Sequence, residues 1–280
     1  MNDVVIIGAG PAGVSCALYL KRAGRQVLVL DKADSALLYA PRIENYYGTV
    51  CTGPELYKQG LQQLSSLQIP VEKQEVVSLQ MLANGFEMKT EQTTYQAKHV
   101  VIATGNKRES PNIPGLVTMQ GKGVSYCAVC DGFFYKNKAV AVLGNAAYAI
   151  EEATYLKNLA KSVIILTNGQ PLKGKYSQVI EKKIASLQGS ETLETIVFED
   201  GSTLAVQGLF VALGTMGATD MARKLGCQIE NNKIVTNTHG QTNIPNFYAC
   251  GDCTAGVAQI AKAVYQGMEV AMQIMKGEKE

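Results

Sequence analysis

The sequence predicts an α/β protein with parallel sheets, on the basis of three observations. First, residues 4–7 are a short, fully apolar, β-branched run, the pattern of a strand buried on both faces of a parallel sheet, and residues 138–143 are a second expected strand. Second, each of these runs leads through a turn of small residues into a segment of helical composition. Third, the length of 280 residues is sufficient for two domains of ordinary size.

The bulk composition argues against several classes of protein. Apolar residues make up 46% of the chain and charged residues 18%, as in ordinary globular proteins. No apolar run reaches the roughly 18 residues of a membrane span, and we expect no signal peptide. The net charge of +2 is too small to indicate a nucleic-acid partner. Seven cysteines, an odd number, fit a reducing compartment, so we expect a cytoplasmic protein.

The first strand leads into a Gly-x-Gly-x-x-Gly sequence at Gly8, Gly10 and Gly13. A helix follows, and the next strand, residues 26–30, ends at Asp31. The first glycine permits a tight turn, the second lets the backbone approach a pyrophosphate, and the third lets helix and strand pack closely. The helix N-terminus offers N–H groups to phosphate, and the acidic residue accepts hydrogen bonds from ribose hydroxyls. This segment predicts a dinucleotide site.

Two later strands indicate which dinucleotide is bound. Residues 99–105 form a strand that ends in a small-residue turn, and residues 246–252 form another that ends at Asp252 before a helix, residues 257–275. An aspartate at this place can bind a ribityl hydroxyl while the N-terminus of the helix faces a flavin ring. The pattern therefore favours FAD.

Cys127 and Cys130 form a Cys-x-x-Cys pair that has three interpretations: a redox dithiol, half of a zinc site, or two core cysteines. Zinc requires four ligands, and the chain has only two histidines, neither near a second well-spaced pair. A composite site with Cys250 and Cys253 stays open as an alternative. The two-residue spacing lets the thiols close a small ring, and the first thiol ionises near pH ~7 when a helix starts there. We favour a redox-active disulfide and expect no metal.

The order of these motifs resembles the low-molecular-weight thioredoxin reductases over nearly the whole chain. The resemblance rests on the glycine fingerprint, the pair Glu44-Asn45, the turn at residues 103–105, the block at residues 124–132 and the late Gly-Asp pair. It implies two Rossmann-like three-layer domains, a homodimer, and thioredoxin as the partner. Residues 1–112 and 241–280 would form the FAD domain, and residues 113–240 an inserted, degenerate nucleotide-binding domain that carries the dithiol.

The same resemblance assigns residue roles. Cys127 would be the interchange thiol, Cys130 the thiol next to the flavin, and Asp131 the acid/base that manages thiol protons. The positions that would bind FAD are Gly8, Gly10, Pro11, Ala12, Gly13, Asp31, Lys32, Asn45, Val76, Ala103, Thr104, Gly105, Gly251, Asp252, Gln259, Ile260 and Ala261.

The inserted domain departs from the family where NADPH should bind. Its middle fingerprint glycine is Ala146, and Tyr148 places a bulky ring beside the same turn. Residues 167–170 contain no arginine, whereas the usual reductases carry a His-Arg-Arg run that pairs with the 2′-phosphate. We also expect a helix at residues 176–187 that leads into a hairpin at residues 192–205, without the extra strand of the usual reductases. These features predict loss of NADPH use.

The chain also resembles the ferredoxin-dependent flavin thioredoxin reductases, which implies ferredoxin as the electron donor. A donor near −400 mV and a thioredoxin near −270 mV differ by about 130 mV, or about 6 kcal/mol for two electrons. The transfer is downhill without a nicotinamide. Two alternatives stay open: an NADPH-dependent disulfide or peroxide reductase with an unusual pocket, and a flavin-dithiol redox sensor without turnover.

Overall fold

The computed structural model describes residues 1–105, 111–126, 128–213 and 217–277, without the side chain of Cys130. The chain divides into two compact units, Met1–Lys107 with Gly217–Glu280, and Arg108–Met216. This division differs from the sequence-based boundaries because residues 217–240 lie with the first unit. A backbone bridge from Ile234 to Thr254 joins this segment to the last part of the chain.

The secondary structure alternates between strands and helices along both units. The strands are β1 (Asn2–Ile7), β2 (Val27–Leu30), β3 (Val71–Glu72), β4 (Ser78–Leu82), β5 (Gly85–Lys89), β6 (Thr94–Ile102), β7 (Val124–Ser125), β8 (Ala139–Leu143), β9 (Ser162–Leu166), β10 (Val179–Ile180), β11 (Ile184–Gln188), β12 (Thr195–Phe198), β13 (Thr203–Ala205), β14 (Gly208–Val211), β15 (Ile229–Glu230), β16 (Lys233–Ile234) and β17 (Phe247–Ala249). The helices are α1 (Pro11–Arg22), α2 (Gly53–Ser66), α3 (Ala128–Asp131), α4 (Ala147–Leu156), α5 (Ala218–Lys224) and α6 (Ile260–Lys276), with 3₁₀ turns at Ala36–Tyr39, Gly132–Tyr135 and Gly251–Cys253.

The first unit is built on a sheet with the strand order β3-β2-β1-β6-β5-β4, in which β17 also pairs with β6. Strands β1, β2, β3, β6 and β17 pair in parallel, whereas β4 and β5 form an antiparallel hairpin that continues the sheet from β6. The apolar residues of β1 and β2 are fully buried, as the continuous β-branched runs predicted. The carboxyl ends of β1, β2, β6 and β17 therefore share one edge of the sheet.

Helices α1 and α6 of the first unit cross at close range. A Cβ atom on Gly267 would lie 2.1 Å from the carbonyl oxygen of Ala12, so only glycine allows this approach. The hydroxyl of Ser15 donates a 2.7 Å hydrogen bond to the carbonyl of Val264 at the same crossing. Helix α2 begins with a capping box in which Thr52 and Glu55 exchange hydrogen bonds. The first two contacts hold α1 against α6, and the third caps the start of α2.

The second unit contains a parallel sheet in the order β10-β9-β8-β14-β7 and an antiparallel sheet β11-β12-β13. The parallel order with intervening helix α4 confirms the predicted α/β fold in this unit as well. The core lies between the two sheets and includes Leu143, Leu166, Ile196 and Leu209, all fully buried.

The predicted helix at residues 176–187 is wrong. The structure has the short strand β10 there, and β11 begins at Ile184 and pairs antiparallel with β12. Ile184 and Leu187 both enter the core of the unit. The lysine, glutamate and alanine content favours a helix locally, but pairing with β12 and burial of the apolar residues override that preference. The feature that we expected to be absent, an extra strand before the hairpin, is present as β11.

Among the described residues, no helix is long and apolar enough to cross a membrane.

Candidate functional site

The turn between β1 and α1 has the geometry of a pyrophosphate loop. Gly8 has a φ of +108°, and a Cβ atom there would lie 2.6 Å from the carbonyl oxygen of Ala103. A Cβ on Gly13 would lie 1.9 Å from the carbonyl oxygen of Gly8, so both glycines are required by backbone packing. Gly10 differs, because its nearest atom would be the Ser35 hydroxyl at 3.7 Å. The side of the loop at Gly10 is therefore open to a ligand, as the fingerprint predicted.

Asp31 lies at the carboxyl end of β2 and is 7% exposed. Its Oδ1 accepts a 2.9 Å hydrogen bond from the backbone N–H of Ala9, so the carboxylate joins β2 to the pyrophosphate loop. Its Oδ2 accepts from the N–H of Ala33 at 3.0 Å and from the hydroxyl of Tyr57. The neighbouring Lys32 forms a 3.4 Å ion pair with Asp34. Asp31 is held in the place where this fold binds the ribose of a dinucleotide.

Tyr57, which contacts the predicted site residue Asp31, was missed by sequence reasoning. Its side chain on α2 is 9% exposed, and burial together with the hydrogen bond to Asp31 raises the pKa of its hydroxyl well above the usual value. Tyr57 and Leu64 are seven residues apart and are both buried on α2, so helical spacing could have suggested a core position, but nothing in the sequence indicated the partner of the hydroxyl.

Two buried oxygen atoms mark the other half of the site. Oδ1 of Asp252 and Oγ1 of Thr104 are buried and have no hydrogen-bond partner among the described residues. A buried carboxylate oxygen without a partner is costly, which indicates that a ligand supplies one. Both residues follow strands, β17 and β6, that pair with each other. A ribityl chain with its hydroxyl groups fits this pair of acceptors.

Two lysines hold the turn that carries Asp252. The Lys233 ammonium donates a 2.5 Å hydrogen bond to the carbonyl of Asp252, and Lys262 donates to the carbonyl of Gly251 at 3.1 Å. Gly251 has a φ of +80°, a conformation that favours glycine. Burial lowers the pKa of Lys262, and the nearby Asp252 opposes this shift. The sequence analysis did not identify either lysine, because each contacts the backbone of another segment and not a residue next to it in the chain.

The structure brings together Asn45 and Gln259, two predicted FAD residues that are far apart in sequence. The Asn45 amide donates a 3.1 Å hydrogen bond to Oε1 of Gln259, which precedes the first residue of α6. The remaining predicted positions are spread over the same unit: Pro11 and Ala12 open α1, Gly105 follows β6, Ile260 and Ala261 open α6, and Val76 is buried before β4. Their roles in binding FAD stay predictions.

The dithiol is described only in part. Cys127 lies outside the described residues, and of Cys130 the structure gives the backbone, within α3. Asp131 ends α3, and its Oδ2 accepts a 2.6 Å hydrogen bond from the hydroxyl of Ser125, which is 5% exposed. The predicted acid/base is thus held by a residue that the sequence analysis did not single out. The roles of Cys127, Cys130 and Asp131 stay predictions.

Cys250 and Cys253 flank the Gly251-Asp252 pair and are both fully buried free thiols. Burial raises the pKa of Cys253 to about 12, and it raises the pKa of Cys250 well above its ordinary value, with Cys16 as a contributing neighbour. The Cys253 thiol donates to the carbonyl of Cys250 at 3.2 Å. Within the part of the chain that the structure describes, no group of three or more metal-ligating side chains occurs.

The second glycine fingerprint has lost its open turn. Strand β8 ends at Leu143, and α4 begins at Ala147 after Ala146. Residues 171–176, which come after β9, pass over this turn. We call them the crossing segment. The backbone N–H of Lys173 donates a 2.8 Å hydrogen bond to the carbonyl of Asn145.

The crossing segment continues along α4. A Cβ atom on Gly174 would lie 2.5 Å from Cδ1 of Ile150, and the Tyr176 hydroxyl donates to the carbonyl of Ala153 at 3.5 Å. Tyr148, which the sequence analysis placed as an obstacle beside the turn, is 2% exposed. Protein backbone therefore lies against the turn on which this fold places a pyrophosphate.

Comparison with known proteins agrees with this geometry. The sequence pattern of the family described as pyridine nucleotide-disulphide oxidoreductase matches residues 2–267. The thioredoxin reductase of Ureaplasma parvum is 33% identical over 294 aligned residues, which cover 96% of this chain and 94% of that protein. The thioredoxin reductase of Listeria innocua is 31% identical and covers 95% of this chain and 90% of its own length.

Solved structures show the same relationship. The atypical thioredoxin reductase of Desulfovibrio vulgaris Hildenborough superposes with a TM-score of 0.93 at 36% identity, over 100% of this chain and 98% of that one. A ferredoxin-flavin thioredoxin reductase from Clostridium acetobutylicum gives a TM-score of 0.71 at 29% identity, over 100% and 99%. The predicted resemblance and fold class are confirmed, and the cofactor is FAD. The chain belongs to the pyridine nucleotide-disulphide oxidoreductase family.

Proposed function

We propose that the protein is a thioredoxin reductase, a cytoplasmic homodimer, that takes electrons from ferredoxin and passes them through FAD and the Cys127–Cys130 dithiol to thioredoxin. The order of the motifs and the thioredoxin reductases among the relatives support the reductase activity. The observation that carries the choice of electron donor is the crossing segment, whose backbone lies on the turn between β8 and α4.

The proposed reaction is a thiol–disulfide exchange. The Cys127 thiolate attacks the disulfide of thioredoxin and forms a mixed disulfide. The Cys130 thiolate then attacks the Cys127 sulfur, which releases thioredoxin as a dithiol and leaves a Cys127–Cys130 disulfide. Bound FAD, once reduced by two electrons from ferredoxin, would supply the electrons that reduce this disulfide again. Asp131 accepts and returns the thiol protons while the hydrogen bond from Ser125 orients its carboxylate.

Three features of the second unit argue against NADPH as the donor. A nicotinamide dinucleotide requires a turn where its pyrophosphate can contact the backbone, and here Ala146 adds a methyl group to that turn. The hydrogen bond from Lys173 to Asn145 places the crossing segment over the same turn. Residues 167–170 offer no arginine for a 2′-phosphate, and Asn168 instead accepts a 2.8 Å hydrogen bond from the N–H of Ile184.

A one-electron carrier protein requires no nucleotide pocket, so the altered turn does not prevent reduction by ferredoxin. The neighbour from Clostridium acetobutylicum, a ferredoxin-flavin thioredoxin reductase, aligns over the whole of this chain. A low-potential iron–sulfur donor also makes the transfer to thioredoxin favourable by about 6 kcal/mol for two electrons.

Anaerobic titration of the flavin absorbance tests the donor. Reduced ferredoxin should bleach the flavin band and support turnover of thioredoxin, whereas NADPH alone should do neither. Bleaching and turnover with NADPH at rates like those with ferredoxin would show that the protein is an NADPH-dependent reductase. Bleaching by ferredoxin without reduction of thioredoxin would instead favour a redox sensor. Light scattering during gel filtration tests the homodimer.

A further inference from the structure

Glu152 is a buried carboxylate on α4 of the second unit. It is 2% exposed, and glutamate is seldom buried to this extent without a partner. Its Oε2 accepts a 3.0 Å hydrogen bond from the backbone N–H of Ala128. That N–H belongs to the peptide bond that joins Cys127 to Ala128. A buried negative charge is therefore bonded to the peptide group that directly follows the first cysteine of the dithiol.

The N–H groups at the start of a helical turn carry a partial positive charge, which stabilises a thiolate beside them and lowers its pKa. Ala128 is the first residue of α3, the turn that also contains Cys130. A carboxylate bonded to its N–H counteracts that partial positive charge and disfavours a nearby thiolate. The same hydrogen bond fixes the orientation of the peptide group between Cys127 and Ala128.

We propose that Glu152 is a positioning residue for the dithiol, which orients the peptide group after Cys127 and keeps the thiols protonated until exchange begins. The proposal rests on the dithiol function proposed above. It assigns to Glu152 a role different from that of Asp131, because Asp131 is bonded to Ser125 on the preceding strand and Glu152 to the N-terminus of α3.

Titratable groups close to α3 include Asp131 on the helix itself, Tyr135 on the following 3₁₀ turn, and Tyr155 on α4. Burial, with a contribution from Asp131, raises the pKa of Tyr135. The ring of Tyr155 lies beside Gly132, 3.6 Å from the position of an added Cβ. Unlike these three groups, Glu152 combines a carboxylate with near-complete burial and a hydrogen bond from the first N–H of α3.

The variant Glu152→Gln distinguishes an effect of the negative charge from an effect of the hydrogen bond that caps α3. Its amide oxygen can still accept from Ala128, so the cap survives while the negative charge is lost. The holoenzyme would be reduced and labelled with iodoacetamide across pH, with Cys127 and Cys130 followed by peptide mass spectrometry. Long-wavelength charge-transfer absorbance reports the thiolate next to the flavin in the same samples.

We expect Glu152→Gln to increase the labelling rate below neutral pH by about five- to tenfold, because the thiol pKa falls by up to about one unit. Glu151→Gln is the matched control, since it removes the same charge from the adjacent, half-buried position on α4. Its pH profile should coincide with that of the wild type.

Coincident profiles for Glu152→Gln, Glu151→Gln and the wild type would overturn the proposal. If Glu152→Gln does not fold, Glu152→Asp and Glu152→Ala are compared instead. The proposal then requires the pH profile of labelling for Glu152→Asp, which keeps the charge, to lie closer to the wild-type profile than that of Glu152→Ala. Absence of any reactive thiol at Cys127 or Cys130 after reduction would overturn the dithiol function itself, which is a separate outcome.

Discussion

The backbone N–H of Lys173 donates a 2.8 Å hydrogen bond to the carbonyl oxygen of Asn145. In a dinucleotide-binding domain, the turn that contains Asn145 faces the crevice at the carboxyl ends of the strands, where the pyrophosphate lies. Here a segment of the chain itself makes a backbone hydrogen bond to that turn. The contact explains why the second unit can keep the strands and helix of a nucleotide-binding fold while its electron donor is a different molecule, as we propose.

This contact predicts that Ala146→Gly alone will not create NADPH turnover. The substitution restores the middle glycine of the fingerprint, but the crossing segment and the lack of an arginine partner for the 2′-phosphate remain. Anaerobic stopped-flow measurement of flavin bleaching by NADPH checks this outcome. Turnover with ferredoxin serves as the control and should be unchanged. Efficient NADPH oxidation by this single variant would show that the methyl group of Ala146 alone prevents NADPH use, and it would contradict our interpretation.

Gly10→Val should give a folded protein that is largely colourless. Among the described residues other than its two chain neighbours, no atom lies closer than 3.7 Å to a Cβ at this position, so the backbone tolerates the side chain, but the isopropyl group occupies the approach to the pyrophosphate. The ratio of flavin to protein absorbance after purification, with circular dichroism for the fold, measures the effect. Gly13→Val is the contrasting variant and should not fold, since its Cβ would lie 1.9 Å from the carbonyl of Gly8. Full flavin occupancy in Gly10→Val would show that the pyrophosphate lies elsewhere.

The two cysteines should behave differently when they are replaced one at a time. Cys127→Ser should leave a Cys130 thiolate against oxidised flavin and produce long-wavelength charge-transfer absorbance. Cys130→Ser should trap thioredoxin as a stable mixed disulfide with Cys127, visible on a non-reducing gel. The double variant Cys127→Ser/Cys130→Ser is the control for both signals. An exchange of the two behaviours would reverse the assignment of the thiols without changing the proposed reaction.

Tyr57→Phe should weaken the FAD site by removing the hydroxyl that donates to Asp31. Because the bond is buried and its acceptor is charged, we expect the free energy of unfolding to fall by about 2 kcal/mol. Thermal release of FAD and denaturant unfolding measure the two effects. Tyr39→Phe is the matched control, because its hydroxyl donates to Asp34 in an exposed hydrogen bond of 3.0 Å and should contribute little. Equal effects of the two substitutions would contradict a special role for Tyr57.

The protein should lose stability above pH 9, in part because burial raises the pKa of Cys227 from 9.0 to about 11. The unfolded chain can ionise this thiol from pH 9 upward while the folded protein cannot, so the stabilisation is complete below pH 9 and declines toward pH 11. Cys227→Ala should make the decline of the unfolding free energy shallower by up to about 1.4 kcal/mol per pH unit. Denaturant titrations at several pH values measure both slopes. Parallel curves for the two proteins would contradict this attribution, and the constant difference near neutral pH reports the loss of packing alone.

The β1–α1–β2 arrangement and the location of its ligand loop could be predicted from the sequence. The reason is that these features are local: the apolar runs specify buried strands, and Gly8 and Gly13 occupy places where any Cβ would overlap backbone. The Gly-Asp pair at Asp252 was identified for the same reason, since it directly follows a strand in the sequence. The loss of the glycine at Ala146 could also be read directly.

Features that depend on residues distant in the chain became apparent only in the folded structure. The helix expected at residues 176–187 is a pair of strands because β10 pairs with β9 and β11 pairs with β12, which local composition does not reveal. The hydroxyl of Tyr57 reaches Asp31, and the carboxylate of Glu152 reaches the N–H of Ala128, only because the helices that carry them pack against those elements. Sequence patterns report the preference of each segment for a local conformation and for burial. Which buried groups become hydrogen-bond partners depends on the path of the folded chain.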